Sequence, residues 1–188
     1  MEKTAFSEIS SVDDIHWERW NFTERAALCI VRKKGDILLI HKKSGLGAGF
    51  VNIPGGRIDM NETPETAAVR EIQEETCITP LSPQFAAQLQ YMSQGGYSMR
   101  VFVFTASGYE GDPAPTQEAD PFWCAADAIP YDKIWPRGYE SWLGRVLAGE
   151  RILGRFIFDE NKNEMLDMEI IKYPEPPYSA RNLPFGIN

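Results

Sequence analysis

Residues 55–78 read GGRIDMNETPETAAVREIQEETCI, and this stretch decides both the fold and the chemistry. Thr63 is a candidate N-cap, and Pro64 follows at the first helical position, where a missing N–H costs nothing. The sequence therefore predicts a helix over Pro64–Thr76. Just before it, Gly55 and Gly56 lack a Cβ, which lets backbone and ligand approach closely.

The predicted helix carries an acidic group at helical spacing. Glu71, Glu74 and Glu75 stand at i, i+3 and i+4 on one narrow face, and we expect the apolar stripe around Ile72 to point elsewhere. Like charges at this spacing destabilise an isolated helix by roughly 0.2–0.5 kcal/mol per pair, which a divalent cation would offset. Arg70, at i, i+4 to Glu74, can orient the carboxylates by charge-assisted hydrogen bonds.

Clustered carboxylates suit Mg²⁺, which takes oxygen ligands and completes its shell with water and substrate phosphate oxygens. We expect Mg²⁺, with Mn²⁺ as an alternative, and a backbone carbonyl of Gly56 among the ligands. Such metals polarise phosphorus and make a bound water more nucleophilic. One glutamate of the cluster would act as general base, and the spacing leaves open which one. The alternative interpretation of a Glu-rich helix is a solvated surface face.

The whole string fits a longer pattern, G-x5-E-x7-R-E-U-x-E-E-x-G-U with U aliphatic. The positions in register are Gly56, Glu62, Arg70, Glu71, Ile72, Glu74, Glu75 and Ile78. This is the Nudix box, so the chain resembles a Nudix hydrolase, which implies an α/β/α sandwich with a mixed β-sheet and metal-dependent attack of water on a nucleoside diphosphate group. Cys77 replaces the second glycine of the box, so the helix end is either remodelled or strained.

Further segments resemble one subgroup of that family. Residues 42–52, 125–136 and 154–158 look like the mammalian-type 8-oxo-dGTP diphosphatases. The resemblance implies a nucleotide pocket built from Lys42, Asn52, Tyr91 and Trp135. It also adds Glu118, outside the box, to the metal-binding set of Gly56, Glu71, Glu74 and Glu75.

The base pocket departs from that subgroup at two places. Arg137-Gly138 stands where the subgroup has an acidic pair, and Leu46 replaces an aromatic residue. Losing two acceptors and gaining a cation changes which base edges can be satisfied. We therefore expect no strong preference for an oxidised purine.

Three hypotheses about function follow from these motifs, two enzymatic and one non-catalytic. The first is a Mg²⁺-dependent pyrophosphohydrolase that cleaves a nucleoside triphosphate, including an oxidised or modified one, to the monophosphate and pyrophosphate. The second keeps the metal cluster but acts on ADP-ribose, a nucleotide sugar or a dinucleotide polyphosphate. The third is a non-catalytic nucleotide-sensing domain, which the presence of every box acid disfavours.

The remaining elements are mainly strands. Period-2 patterns predict two hairpins, 26–32 with 36–41 and 84–91 with 98–106, and further strands at 122–124, 155–158 and 165–171. A second helix is predicted at about 139–148. Antiparallel strands with few helices predict an α+β fold with helices packed on a mixed sheet.

Composition limits the class of protein. The chain has 188 residues, 43% of them hydrophobic, and a net charge of −8, which disfavours binding to a nucleic-acid polymer. No apolar run approaches the roughly 20 residues of a membrane span, and residues 1–10 do not resemble a secretory signal. We expect a cytoplasmic monomer or homodimer with an N-terminal arm (1–21), a Nudix domain (22–173) and a Pro-rich tail (174–188).

Overall fold

The computed structural model describes residues 6–174 and shows a mixed β-sheet with a helix on each face. The strands are β1 (Glu24–Lys33), β2 (Asp36–Lys42), β3 (Val51–Asn52), β4 (Gly55–Arg57), β5 (Thr79–Leu81), β6 (Gln84–Ser93), β7 (Ser98–Ala106), β8 (Gly108–Glu110), β9 (Ala119–Ala125), β10 (Ile152–Phe158) and β11 (Met165–Lys172). The helices are α1 (Pro64–Thr76) and α2 (Tyr139–Leu147).

The main sheet runs β11-β10-β6-β7-β1-β2-β3, with β4 beside β1 and β9 beside β2. β1 pairs with β7 in parallel, and β6 pairs with β10 in parallel, whereas the other pairs are antiparallel. The expected α+β sandwich with a mixed sheet is therefore confirmed. Both predicted hairpins form; the first turns at Lys34 and Gly35, whose positive φ values of 50° and 97° match a two-residue hairpin turn.

Alternating side chains on the sheet build a core on each face. On one face, Ala27, Cys29 and Phe102 pack against α1 through Ala68 and Ile72. On the other, Ile30, Val101 and Phe156 belong to a larger cluster that includes Trp142 and Leu143 of α2. The sheet therefore holds α1 and α2 in fixed positions on opposite sides.

Helix α1 begins and ends at the predicted residues. The Oγ1 of Thr63 accepts a hydrogen bond from the backbone N–H of Thr66 at 3.2 Å. At the other end Cys77 adopts the left-handed conformation, with φ of 64°, and its N–H donates to the carbonyl of Gln73. The helix therefore ends in the ordinary left-handed cap. Because the capping residue is not glycine, this conformation costs about 1–2 kcal/mol of stability.

The orientation of the acidic face differs from the sequence prediction. Glu71 and Glu75 lie on the buried side of α1, with 9% and 0% of their surfaces exposed, while Glu74 is exposed. The expectation that all three carboxylates point away from the buried stripe is therefore wrong. Two of them enter the protein because Lys42, the Gly55 N–H and Arg70 provide partners there.

The N-terminal segment (residues 6–22) packs on strands β6 and β10 of the sheet. Ile9, Ile15 and Trp17 are buried in a cluster with Met92 of β6 and Ile157 of β10. The aromatic side chains of this segment therefore cover part of the domain surface. The tail predicted for 174–188 lies outside the described residues except for its first position. Within residues 6–174, no helix has the length and apolar character needed to cross a bilayer.

Candidate active site

A cavity of about 250 Å³ opens on the α2 face of the sheet and reaches across to α1. Its floor comes from four neighbouring strands, with Leu28, Val101, Tyr91 and Phe158 contributed by β1, β7, β6 and β10. One end is bounded by Gly55, Gly56 and Glu71. The cavity therefore joins the glycine pair and the acidic helix to a largely apolar pocket.

A buried ion pair ties α1 to β2 beside this cavity. The Nζ of Lys42 lies 2.6 Å from Oε1 of Glu75, and the backbone N–H of Gly55 donates to the other carboxylate oxygen at 2.8 Å. Burial raises the pKa of Glu75, and Lys42 opposes that rise. Glu75 is therefore held in place by two donors, Lys42 and Gly55, which both line the cavity.

Glu71 is the carboxylate that lines the cavity. A Cβ at Gly56 would collide with its carboxylate group, so only glycine allows this close approach. Burial raises the pKa of Glu71, and the hydrogen bond from Arg70 opposes the rise. The result is a desolvated carboxylate, held by one arginine, at one end of the cavity.

Arg70 joins the box carboxylates to one another. Its Nε and Nη2 donate to both oxygens of Glu62 at 3.0 and 2.9 Å, and its Nη1 donates to Glu71 and Glu74 at 2.8 and 3.0 Å. Nη2 also donates to the carbonyl of Arg57. The bond from Arg70 lowers the pKa of Glu62. Glu62 thereby anchors the arginine that positions the other two glutamates.

The four side chains expected to bind substrate line one cavity: Lys42, Asn52, Tyr91 and Trp135. Gly56 and Glu71 of the expected metal set line it too, while Arg70, Glu74 and Glu75 stand just outside. Glu118 is exposed in the segment before β9. Across residues 6–174, no three His, Cys, Asp or Glu side chains are gathered closely enough to hold a metal ion as they stand.

Sequence reasoning missed several residues of this cavity. Arg57, Ser93, Tyr139 and Lys162 line it although they are far apart in the chain. Strand alternation could have signalled Ser93, since it follows Tyr91 at the next position on the same face. Conversely, Arg137 is exposed and does not line the cavity, so the expected cation in the base pocket is absent there.

The charge lining the cavity is opposite to that of the whole chain. Lys42, Arg57 and Lys162 line it, and Glu71 is the one carboxylate among the described residues that do so. The chain as a whole has a net charge of −8. Locally clustered cations can attract an anionic ligand that the long-range field would repel.

Sheet, acidic helix and cationic cavity together define a hydrolase of phosphate anhydrides. The family model described as the NUDIX domain matches residues 22–143, and the chain belongs to the Nudix hydrolase family. Members of this family generally use divalent metal ions.

Known relatives agree with this assignment. The chain is 36% identical over 132 residues to the oxidized purine nucleoside triphosphate hydrolase of Danio rerio. The match covers 70% of this chain and 84% of that protein. The chain is 31% identical over 134 residues to the protein of the same name from Mus musculus, covering 71% and 85%. The crystal structure of the MutT protein from Bacillus halodurans shares the fold, with a TM-score of 0.67 at 22% identity over 80% of this chain and 99% of that one.

Proposed function

We propose that this protein hydrolyses a nucleoside triphosphate to the monophosphate and pyrophosphate, with Mg²⁺ as the metal. The observation that carries the proposal is the single cavity that joins Glu71 and Gly56 at one end to Tyr91 and Trp135. A nucleotide carries a phosphate chain and a flat base on its sugar, and the cavity offers an acidic, glycine-bounded end for the phosphates and aromatic rings for the base.

The pocket residues account for substrate binding. Rings such as Tyr91 and Trp135 stack on a base, a contact that contributes roughly 1–3 kcal/mol in nucleic-acid sites. Asn52 is 9% exposed and can read a base edge through its amide. Lys42 and Arg57 line the cavity beside Gly56, where the phosphates would lie. Each already pairs with a carboxylate, Lys42 with Glu75 and Arg57 with Glu24, so a phosphate would share them with these partners.

The carboxylates of α1 suit a hard cation. Glu71 is desolvated and in contact with Gly56. Arg70 donates hydrogen bonds to both Glu71 and Glu74, which brings the two carboxylates near each other. Oxygen ligands of this type are those that Mg²⁺ prefers, and Mn²⁺ is a chemically similar substitute. Bound there, the metal would lower the pKa of a water and polarise the phosphoryl group. The proposed ligands are Glu71, Glu74, Glu75, Glu118 and the carbonyl of Gly56.

The side chains around the metal perform the remaining tasks. Arg70 positions Glu71 and Glu74, and Glu62 in turn holds Arg70 by two parallel hydrogen bonds. One carboxylate of the box accepts a proton from the attacking water, and Lys42 and Arg57, which line the cavity near Gly56, help to neutralise the pyrophosphate that leaves. Arg70, Glu71, Glu74 and Glu75 are the proposed catalytic residues.

The relatives support a triphosphate over the other family substrates. Both the Danio rerio and the Mus musculus proteins are named as hydrolases of oxidized purine nucleoside triphosphates, and the match covers most of each. From these names we infer only that the substrate of this protein is a nucleoside triphosphate. The preference for an oxidised base is tested separately below, because the base end of the cavity has its own residues.

We also propose that the protein acts on free nucleotides in the cytoplasm as a monomer or homodimer. The net charge of −8 opposes binding to a polyanion such as DNA or RNA. Size-exclusion chromatography with light scattering measures the oligomeric state. A stable assembly larger than a dimer, or tight binding to oligonucleotides at physiological salt, would contradict this part of the proposal.

A substrate screen tests the reaction. Nucleoside triphosphates, ADP-ribose, nucleotide sugars and dinucleotide polyphosphates are incubated with the protein and Mg²⁺, and products are identified by anion-exchange chromatography. We expect monophosphate and pyrophosphate from triphosphates, and no turnover after addition of EDTA. Release of inorganic phosphate from the triphosphates, or turnover of ADP-ribose alone, would overturn the proposal.

A further inference from the structure

The end of the cavity away from Gly56 carries polar groups that the hydrolytic step does not use. Gly56 lies on β4 and Ser93 on β6, and the sheet order β4-β1-β7-β6 places three strand spacings, about 14 Å, between those strands. Lys162 reaches the cavity from the turn between β10 and β11. Asn52 lines the same cavity from β3, on the other side of β1 from β6. We call these three polar residues of the cavity, Asn52, Ser93 and Lys162, the base-edge group.

Ser93 has a hydroxyl that needs a partner. The residue lines the cavity and is 2% exposed, and its Oγ has no hydrogen-bond partner. Buried hydroxyl groups are nearly always hydrogen-bonded in folded proteins. A ligand that fills this end of the cavity can supply the missing partner.

Lys162 adds a positive charge close by. Its Nζ lies 4.5 Å from the centre of the Tyr97 ring, which holds the ammonium against the cavity wall. Tyr97 itself donates its hydroxyl proton to Glu24 at 3.0 Å. Lys162 interacts electrostatically with Glu24, but no salt bridge within residues 6–174 includes it, so its N–H donors stay available to a ligand.

Asn52 is oriented by a neighbour that also lines the cavity. The hydroxyl of Tyr139 donates to Oδ1 of Asn52 at 3.2 Å. With its oxygen engaged, the side-chain amide has its NH₂ group left for a ligand. Gly47 packs against the same NH₂ group and against the Trp135 ring, because a Cβ there would lie 2.8 Å from Nδ2.

The base-edge group therefore offers donors. Asn52 contributes an amide NH₂, Lys162 an ammonium and Ser93 a hydroxyl that can donate. The one carboxylate among the described residues lining the cavity, Glu71, stands at the opposite end beside Gly56. A base that presents carbonyl oxygens matches all three donors, whereas an exocyclic amino group could bond only to the Ser93 oxygen and would leave the Asn52 and Lys162 donors facing a donor.

We propose that the base-edge group selects nucleotides whose base carries a carbonyl at the recognised edge, such as hypoxanthine, over those with an amino group there, such as adenine. This inference rests on the proposed function, because it takes the occupant of the cavity to be a nucleotide. Lys162, which can only donate, is its specificity-determining residue, and Ser93 supplies a hydrogen bond to the base edge. A site that hydrogen-bonds a substrate group discriminates strongly against an analogue that cannot satisfy it.

The test measures binding, so that it does not depend on hydrolysis. Inosine monophosphate and adenosine monophosphate, which differ at the C6 edge of the purine, are titrated into the protein without metal by isothermal calorimetry. We expect the inosine nucleotide to bind about tenfold or more tightly. In Lys162→Met this ratio of dissociation constants should fall at least threefold, because the lost ammonium group can only donate, whereas Ser93→Ala should weaken the binding of both nucleotides.

A matched variant and a fold check keep the result interpretable. Lys172 is exposed on β11 and does not line the cavity, so Lys172→Met removes the same charge and should leave the ratio unchanged. Circular dichroism melting curves verify that each variant is folded. Ser93→Ala removes one oxygen atom, so it tests the hydroxyl with little change in packing.

The outcomes separate this inference from the proposed reaction. Equal binding of the two monophosphates, binding of neither, or a ratio that persists in Lys162→Met would overturn the base preference. Discrimination without any triphosphate hydrolysis would overturn the proposed reaction and support the base preference. Hydrolysis with equal rates and equal binding for inosine and adenosine nucleotides would leave the reaction standing and overturn the base preference.

Discussion

The ammonium group of Lys42 lies 2.6 Å from a carboxylate oxygen of Glu75, a residue with none of its surface exposed. This pair joins β2 to α1, and the Gly55 N–H completes the set of donors to Glu75. Removing one partner of a buried pair leaves an uncompensated charge. Lys42→Met should therefore lower the free energy of unfolding by about 3 kcal/mol, as measured by urea denaturation in EDTA.

A second substitution identifies the cause of that loss. In the double variant Lys42→Met with Glu75→Gln, no charged group is left buried without a partner, and the Gly55 N–H can still donate to the oxygen of the new amide. Its stability should lie above that of Lys42→Met alone. If the double variant were less stable than either single one, loss of packing rather than an unpaired carboxylate would explain the effect.

Glu74 allows a test of catalysis that spares the fold. It is exposed, and its ion pair with Arg70 is one of several bonds that Arg70 makes. Exposed ion pairs contribute about 0–1 kcal/mol to folding stability, so the melting temperature of Glu74→Gln should be close to that of the wild type. As a proposed metal ligand, however, its loss should lower kcat by about a hundredfold or more, as measured by pyrophosphate release.

The control for this experiment lies on the same helix. Glu65 is an exposed glutamate in the first turn of α1, away from the cavity, so Glu65→Gln should keep wild-type turnover. Wild-type rates in Glu74→Gln would remove Glu74 from the proposed metal set. Equal losses in both variants would indicate a general effect of helix charge.

Cys77 ends α1 with a φ of 64°, a conformation that favours glycine. Relief of about 1–2 kcal/mol of strain, less the 0.5–1 kcal/mol that glycine loses in chain entropy, should make Cys77→Gly more stable by about 0.5–1 kcal/mol. Urea denaturation measures the gain. Cys77→Ala also removes the thiol but keeps the strained backbone, so it should show no gain; equal stabilisation by both would assign the effect to the thiol.

Local sequence signals predicted the elements well because their causes are local. Thr63 and Pro64 mark the start of α1, and Lys34-Gly35 marks a tight hairpin turn. Strands β3, β4, β5 and β8 were not predicted, because two or three residues are too short to show a period-2 pattern.

The site was harder to predict because long-range pairing assembles it. Ser93 and Lys162 meet at one cavity because β6 pairs in parallel with β10, a contact between distant segments that no local pattern encodes. Glu75 was expected on an exposed acidic face, since spacing alone does not reveal that Lys42 and Gly55 would receive it. Arg137 shows the converse: proximity in sequence to Trp135 did not place it in the cavity.

The carboxylate of Asp167 fastens the N-terminal segment to β11. It accepts hydrogen bonds from the Ser11 hydroxyl and the Val12 N–H at 2.8 and 2.9 Å. These bonds hold the pKa of Asp167 below its ordinary value of 3.8. The ionised form is thus favoured by the folded state, so the contribution is complete above that ordinary value and is lost as pH falls through the lower, folded pKa.

Acid should therefore release the segment from the sheet. Tryptophan fluorescence should change below pH 4, because Trp17 belongs to this segment and is buried where the segment packs on the sheet. Asp14 has a lowered pKa as well, through the N–H groups of Ser10 and Ser11, so the variant Asp167→Asn is needed to separate the two. At neutral pH, the fluorescence spectrum of Asp167→Asn should already be shifted part of the way toward the spectrum of the wild type in acid. An unchanged spectrum and acid transition in Asp167→Asn would assign the anchor elsewhere.

Among the described residues, the base end of the cavity has no carboxylate with which to read an oxidised purine. Arg137 and Gly138 stand where the related subgroup has two acids, and Arg137 points outside the cavity, so the acceptors are lost without a cation taking their place. Oxidation of guanine at C8 adds a carbonyl acceptor but turns N7 from an acceptor into a donor, so a donor-lined pocket gains one contact and loses another. The kcat/KM for 8-oxo-dGTP should therefore lie within about tenfold of that for dGTP, since each hydrogen-bond change amounts to about 1 kcal/mol. Steady-state kinetics with both nucleotides decide the matter, and a preference of several hundredfold for the oxidised form would require an acceptor in the pocket that residues 6–174 do not provide.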